Sequence, residues 1–153
     1  MKEEYKKLPF RRCSVVIAVR KRKFLLVQKV GWPRHLWKFP QGGMEEGEQP
    51  IETALREFNE ELGSDQLEVI GVAKAEHKYD WPDKIIAEKQ ADFRGQHQIF
   101  VVCNFTGKGN DLVPDGLEVA RYRWVNRYML RKLLGNWSYA RAVMKVLEEY
   151  KLR

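Results

Sequence analysis

The chain alternates short apolar runs with highly charged connections, and the period of each run predicts its element. Cys13 to Val19 is a continuous apolar run and predicts a buried strand. Arg20-Lys21-Arg22-Lys23 predicts a charged turn, and Phe24 to Val27 begins the return strand. Trp37-Lys38-Phe39-Pro40 predicts a short extended piece, stopped by Pro40 and the two glycines. Pro50 suits the first position of a helix, and Gly63 stands just past its end. Between them Ile51, Ala54, Leu55, Phe58 and Leu62 recur at helical spacing as one apolar stripe. Leu67 to Glu76 predicts a strand; Tyr79 to Arg94 is polar and irregular and predicts a loop near the ligand. Gln98 to Phe105 is a strongly apolar strand, followed by a Gly- and Asn-rich connection through Gly116. Glu118 to Val125 alternates, with Val119 and Arg121 on one side and Ala120, Tyr122 and Trp124 on the other. Helices are predicted over Arg127–Leu134 and Ser138–Tyr150, the second burying Ala142, Val143, Val146, Leu147 and Tyr150. Strands and helices mixed in this order fit three layers, a mixed sheet between helices.

Length and composition narrow the class. With 153 residues, 44% hydrophobic, the chain suits one globular domain over residues 1–153 with a real core. No apolar run approaches the roughly 20 residues that cross a bilayer, so no membrane is expected. Met1-Lys2-Glu3-Glu4-Tyr5-Lys6-Lys7 leads into polar and basic residues rather than an apolar leader. Cys13 and Cys103 each sit in an apolar run, which reads as buried free thiols in a reducing cytoplasm. No internal repeat or linker is visible, and no obligate protein partner is implied.

Charge matters more by location than by total. The formal balance is +7, from 28 bases and 21 acids. Gly42 to Gly63 holds seven acids and one base, Arg56, which leaves 27 bases against 14 acids, or +13, elsewhere. A basic body around one acidic patch suits an enzyme that cleaves polyanions, although ordinary solubilising charge would look the same. Within the patch, Glu57, Glu60 and Glu61 fall on a face different from the apolar stripe. Carboxylates three and four apart on a helix repel by a few tenths of a kcal/mol per pair. Clustered, they ask for a cation, and their hard oxygens suit Mg²⁺ or Mn²⁺, which bind a few carboxylates plus a substrate's phosphates. A solvated acidic face is the plain alternative.

The spacing decides between them. Gly42, Glu48, Arg56, Glu57, Phe58, Glu60, Glu61 and Gly63 match every fixed position of the Nudix box, so the chain resembles that family of hydrolases. Only Ser64 departs, where the family usually carries an aliphatic residue. The resemblance implies the Nudix fold, an α/β/α sandwich with the box as loop-helix-loop against a mixed sheet. Flanking residues resemble the branch of bacterial RNA 5′-pyrophosphohydrolases and plant-type diadenosine tetraphosphate hydrolases. These are Trp37-Lys38-Phe39-Pro40-Gln41-Gly42-Gly43, Tyr79-Asp80-Trp81-Pro82, Gly95-Gln96-His97-Gln98-Ile99-Phe100 and Glu118 before Trp124-Val125. Leu117-Glu118-Val119 departs from the branch's Pro-Glu-Phe. Gly135-Asn136-Trp137-Ser138-Tyr139 lacks the lysine that RNA-cleaving members carry there, and Trp137 or Tyr139 could stack instead.

The implied chemistry is attack of water on a phosphorus of a polyphosphate chain, aided by a metal. Glu57, Glu60 and Glu61 are the expected metal ligands. By resemblance the Gly42 carbonyl joins them, glycine letting the chain turn sharply there. Arg56 can orient a carboxylate, and Glu48 stabilises the loop and helix start. Glu118 is the expected general base or a further ligand, against the alternative of an exposed strand glutamate. Arg11, Lys29 and Lys38 could bind phosphates and Tyr79 could stack on a base. His35, His77 and His97 show no metal-binding spacing. The expected substrate is a nucleotide or an RNA 5′ end, namely triphosphorylated RNA or diadenosine tetraphosphate. A nucleoside triphosphate pyrophosphatase and a non-catalytic nucleotide-binding Nudix domain remain open.

Overall fold

Phe10–Arg20 forms strand β1, the axis on which the other strands are hung. In the computed structural model, which describes residues 1–135 and 137–153, the remaining strands are β2 (Lys23–Lys29), β3 (Gln41–Gly43), β4 (Leu67–Asp80), β5 (Gly95–Phe105) and β6 (Val119–Val125). The helices are α1 (Pro50–Leu62), α2 (Asp83–Glu88), α3 (Arg127–Leu134) and α4 (Ser138–Glu149). The six strands run in the order β4-β5-β1-β2-β6, with β3 added on β1. β1 and β5 are parallel along ten residue pairs from Phe10↔Gly95 to Val19↔Asn104, and the other pairings are antiparallel.

The sheet is covered on both faces, as three layers require. On one face Ala54, Phe58 and Leu62 of α1 pack on Val16, Ala18, Leu25 and Val27. On the other, Leu130 and Leu134 of α3 and Val143, Val146 and Leu147 of α4 pack on Val15, Ile17, Phe24 and Leu26. Val15, Val16, Ile17 and Ala18 alternate between the two cores and are all fully buried. That is why the run reads as continuously apolar.

One feature of this sheet makes the site. β1 and β2 pair only beside their turn, at Val19↔Phe24 and Arg20↔Lys23. Beyond it they diverge, and residues 38–43 fill the fork. Lys38 N–H donates to Val27 O and Val27 N–H donates to Lys38 O, at 3.0 and 2.7 Å. Val16 N–H donates to Pro40 O at 2.8 Å, and β3 pairs with Cys13–Val15. The two glycines expected to stop an extended piece are therefore strand residues themselves. Neither has a positive φ. The sharp turn expected at Gly42 is instead at Gly47, whose φ is +82°.

α1 begins and ends as expected. Pro50 takes the first turn, Glu52 accepts the Gln49 N–H at 3.1 Å, and Gly63 adopts a left-handed φ of +65° with its N–H on Asn59 O. Ile51 departs from the expected stripe and is 37% exposed. Tyr79 to Arg94 is not a loop throughout. β4 continues to Asp80, paired with Gly95, and α2 follows directly after Pro82. The unexpected part, His77–Asp80, pairs regularly with Gly95–Gln98 but is too polar to show an apolar alternation. Tyr150 closes α4 half-buried rather than in the core.

Phe58 carries much of α1's attachment, so Phe58→Ala should cost roughly 3–5 kcal/mol in urea unfolding. A loss below about 1 kcal/mol would mean that α1 is held mainly by its polar contacts.

Candidate active site

A cavity of about 610 Å³ opens where the sheet forks. Gly42, Glu57, Glu61 and Glu118 line it together with Arg11, Lys29, Lys38 and Tyr79. The structure thus gathers eight of the ten expected site residues. Arg56 and Glu60 do not line it.

Arg56 sits behind the cavity wall as the hub of the acidic segment. Its Nε and Nη2 donate to the two oxygens of Glu48 at 2.8 and 2.9 Å, and Nη2 also donates to Gly43 O at 3.0 Å. Its Nη1 donates to Glu57 at 2.9 Å and Glu60 at 3.3 Å. Glu48 also accepts Glu45 N–H and the Thr53 hydroxyl, each at 2.9 Å. The Arg56 bond leads the contacts that hold the Glu48 carboxyl down at about 2. Loop, strand and helix are tied through one guanidinium, which fits the orienting role expected of Arg56.

Glu61 corrects the expected helix face. It follows Phe58 by three residues and Ala54 by seven, so it lies on the buried side and is only 4% exposed. Its Oε2 is buried and has no hydrogen-bond partner among the described residues. Burial first, then the charges of Glu57 and Glu118 against the pull of Lys38, push its carboxyl up to about 8. Burial likewise pushes Glu57 up, against Arg56, and pushes Lys38 down, against Glu61. In both members of the Glu61–Lys38 pair, loss of water outweighs mutual attraction. Glu60 instead has a side chain 57% exposed and turns to Arg56.

Among the described residues, no three acidic, histidine or cysteine side chains stand close enough to cage an ion unaided. The donors nevertheless fit a hard divalent cation. An orphaned buried carboxylate oxygen, a second half-buried carboxylate and the backbone at Gly42 face one space, and both carboxyls are strained toward neutrality. Gly42 is needed for clearance. A Cβ built there would run into Cγ, Cδ and Oε1 of Glu57, and one on Gly43 would run into the Arg11 guanidinium.

Glu118 is exposed and precedes β6 rather than lying in it. Asp115, which the sequence reading passed over, shapes this bend. Its Oδ1 accepts the N–H groups of Leu117, Glu118 and Val119 at 3.1, 3.0 and 2.9 Å. Asp115 N–H in turn donates to Glu61 O, and Val113 N–H to Leu62 O, both at 2.9 Å. The loop that presents Glu118 is thereby docked on the end of α1 that carries Glu61. Pro114-Asp115-Gly116 is a turn signature in the sequence, but it does not say what the turn docks on.

The opposite wall is a polar chain. Ser138 Oγ meets His77 Nε2 at 2.8 Å, and His77 Nδ1 meets Gln98 Oε1 at 2.7 Å. Gln98 donates to Gln41 at 2.7 Å, Gln41 to Gln96 at 3.3 Å, and the Tyr79 hydroxyl to Gln96 at 2.8 Å. Tyr79 stacks one face on His77, with centroids 5.2 Å apart. Tyr139 is buried and its oxygen accepts Phe39 N–H, so it is not free to stack on a ligand. Trp137 is 54% exposed, stacks on Tyr139 and lines the cavity. Asn136, part of the segment lacking the branch's lysine, lies outside the described residues. The cavity also holds Trp32, under Lys38 Nζ at 5.5 Å, and Lys89, over Trp81 at 5.1 Å. Lys89 was missed because its helix was read as loop.

An acidic helix, a glycine strand pressed on it and a cationic cavity stand together on an α/β/α sandwich. Residues 9–146 match the NUDIX domain family, and the chain belongs to it. It is 31% identical to an RNA pyrophosphohydrolase of Sphingopyxis alaskensis over 86% of this chain and 87% of that protein. It is 30% identical to one of Novosphingobium aromaticivorans, over 99% of this chain and 98% of that one. In fold it is similar to the dihydroneopterin triphosphate pyrophosphohydrolase of E. coli, with TM-score 0.72, 20% identity, and 93% and 99% of the two chains covered. It is also similar to an Ap4A hydrolase of C. elegans, with TM-score 0.65, 18% identity, and 88% and 93% covered. Among the described residues no helix is long and apolar enough to cross a membrane.

Glu61 sets a pH test on the metal-free protein. Its folded value of about 8 lies above the ordinary 4.5, so the folded state holds a proton that the unfolded state releases. Its contribution to stability is therefore full below 4.5, falls as pH rises, and is lost above about 8. In chelator, the melting temperature of the parent should drop relative to Glu61→Gln across that window; a constant gap would refute the assignment. Gly42→Ala should stay folded by circular dichroism but lose about 10²-fold in kcat through displacement of Glu57. Undiminished turnover would show that this clearance does not matter.

Proposed function

We propose that the chain hydrolyses a phosphoric anhydride at the 5′ end of triphosphorylated RNA, releasing pyrophosphate. The observation that carries this reading is the unpartnered carboxylate oxygen of Glu61 at the base of a cavity that Arg11, Lys29, Lys38 and Lys89 also line. Fixed cations can hold a phosphate chain there, while the carboxylates can hold the divalent ion. The names of relatives alike over most of the chain support RNA as the substrate.

Glu57 and Glu61, with the Gly42 backbone, would hold Mg²⁺ or Mn²⁺, which neutralises phosphate charge and acidifies bound water. Glu60 would join them by exchanging Arg56 for the ion. Arg56 is a positioning residue: its bond to Glu57 and its hold on Gly43 O keep helix and strand in register. Arg11, Lys29 and Lys38 orient the phosphates, and Lys89 extends that set. Glu118, presented at the cavity by the Asp115 bend, takes a proton from the attacking water or serves as a further ligand. As water's oxygen bonds to phosphorus, the anhydride P–O bond breaks and the departing phosphate keeps its electron pair. Tyr79 and Trp137 line the cavity where a base can rest.

Diadenosine tetraphosphate is the second reading. Trp32 and Trp137 both line the cavity, and Ser138 is committed to His77 near the place where a lysine would mark RNA cleavage.

Product analysis by phosphate chain length should show pyrophosphate released from triphosphorylated RNA, faster than cleavage of diadenosine tetraphosphate or a nucleoside triphosphate. Glu57→Gln should lower kcat by about 10²-fold or more while sparing substrate affinity. A parent protein that binds but turns over none of these substrates would replace the enzyme reading with a binding module.

A further inference from the structure

At the end of β1 remote from the glutamates, the β1–β2 hairpin turns through Lys21 and Arg22, with φ of +49° and +63°. Two positive φ angles in a hairpin turn ordinarily call for Asn-Gly or Gly-Gly, since a Cβ is strained in the left-handed region. Here both places carry long cations. Lys151, with φ +52°, is a third non-glycine residue of this kind at the same end; Gln90 and Ala91 are the others among the described residues. Strain kept under cations, where glycine would relieve it, directs attention to what those side chains do.

The turn stands between two depressions. One of about 280 Å³ is lined by Arg20, Lys21, Lys23 and Lys108 around Trp124. The other, about 370 Å³, includes Arg22 and Lys151. Among the described residues no Asp or Glu side chain lines either, Asp111, close to Lys108 in the chain, included. None of these six cations makes an ion pair among the described residues. Their repulsion is borne by a fixed framework. Arg20 Nε donates to Gly107 O at 2.8 Å and Trp124 Nε1 to Gly109 O at 2.7 Å, so Lys108 is held between two staples. β1 separates this end from Arg11 by roughly 30 Å, at about 3.3 Å per residue.

We propose that this end is a second polyanion site, taking the phosphate backbone of an RNA chain downstream of its reacting 5′ end. It rests on the reading of the substrate as RNA and adds a binding surface with no part in the chemistry. Such a surface favours long chains over dinucleotides, because only a long chain spans both sites. An anionic membrane fits less well. Surface helices or patches that bind lipid pair cations with protruding apolar anchors, whereas the apolar residues at these depressions, Val19, Trp124 and Leu152, are partly buried against the core.

The turn supplies the test. Lys21→Asn with Arg22→Gly installs the residues a left-handed turn prefers, so the full-length variant should melt at the parent's temperature or up to about 4 °C higher. Fluorescence anisotropy in chelator, without turnover, should show affinity for a triphosphorylated RNA of about 20 nucleotides falling roughly tenfold, with the log–log salt slope smaller by about 1.4. Affinity for a triphosphorylated dinucleotide, and its kcat/KM with Mg²⁺, should not change. Lys23→Gln with Lys108→Gln, which leaves the turn alone, should act in the same direction. Unchanged affinity for the long RNA, or equal losses for long and short, would overturn the proposal. So would loss of binding to phosphatidylserine vesicles with RNA binding intact. A parent that binds long RNA through these residues but releases no pyrophosphate from it would sink the function reading and leave this site standing.

Discussion

The bonds of Arg56 hold the site together. This is the one base in a segment with seven acids, and its five donors reach Glu48, Glu57, Glu60 and the backbone of Gly43. Each is a charge-assisted bond, strong where sheltered and weakened where water reaches it. Their geometric effect is larger than their energy. A planar fork fixes directions, so loop, strand and helix approach one another in one arrangement only. Gly42 and Gly43 follow from it, because a strand drawn this close to Glu57 and Arg11 has no room for a side chain.

The same compression loads the cavity with unfavourable electrostatics. Glu61 and Glu57 are pushed toward protonation and Lys38 toward neutrality, each chiefly by burial. When charged, such groups cost the fold stability. On the proposed function they form a preorganised receptor, for which a divalent ion and a phosphate chain would supply the missing charges. The glutamine–histidine chain opposite is the contrasting half. Its members from Ser138 to Tyr79 bond to one another across α4, β4, β5 and β3, and form a wall that need not rearrange when charge arrives.

Charge is divided over the molecule in a way that suits a long anionic substrate. The acidic face of α1 gathers carboxylates, the cavity it borders is lined by lysine and arginine, and the hairpin end keeps cations in strained backbone. The hairpin end is separated from the shared acidic and cationic cavity along β1, a strand buried on both faces over its central part and therefore stiff. Distance between them is set by strand length, not by flexible loops.

Local chemistry was readable from the chain alone. Continuous apolar runs marked β1 and β5, Pro50 and Gly63 bounded α1, and the spacing of Glu57, Glu60 and Glu61 identified the acidic helix. These depend on neighbours a few residues apart, so no knowledge of the fold is required. What packing decided was direction and depth. Glu61 is buried because a helix face three residues from Phe58 meets the sheet, and Glu60, one position earlier, is left to Arg56. Gly42 needs space rather than a turn because β1 and β2 diverge around residues 38–43. Asp115 matters because its N–H reaches Glu61 O across the fold. Periodicity sees none of these contacts, since each joins residues far apart in sequence through a surface that exists only once the sheet has forked.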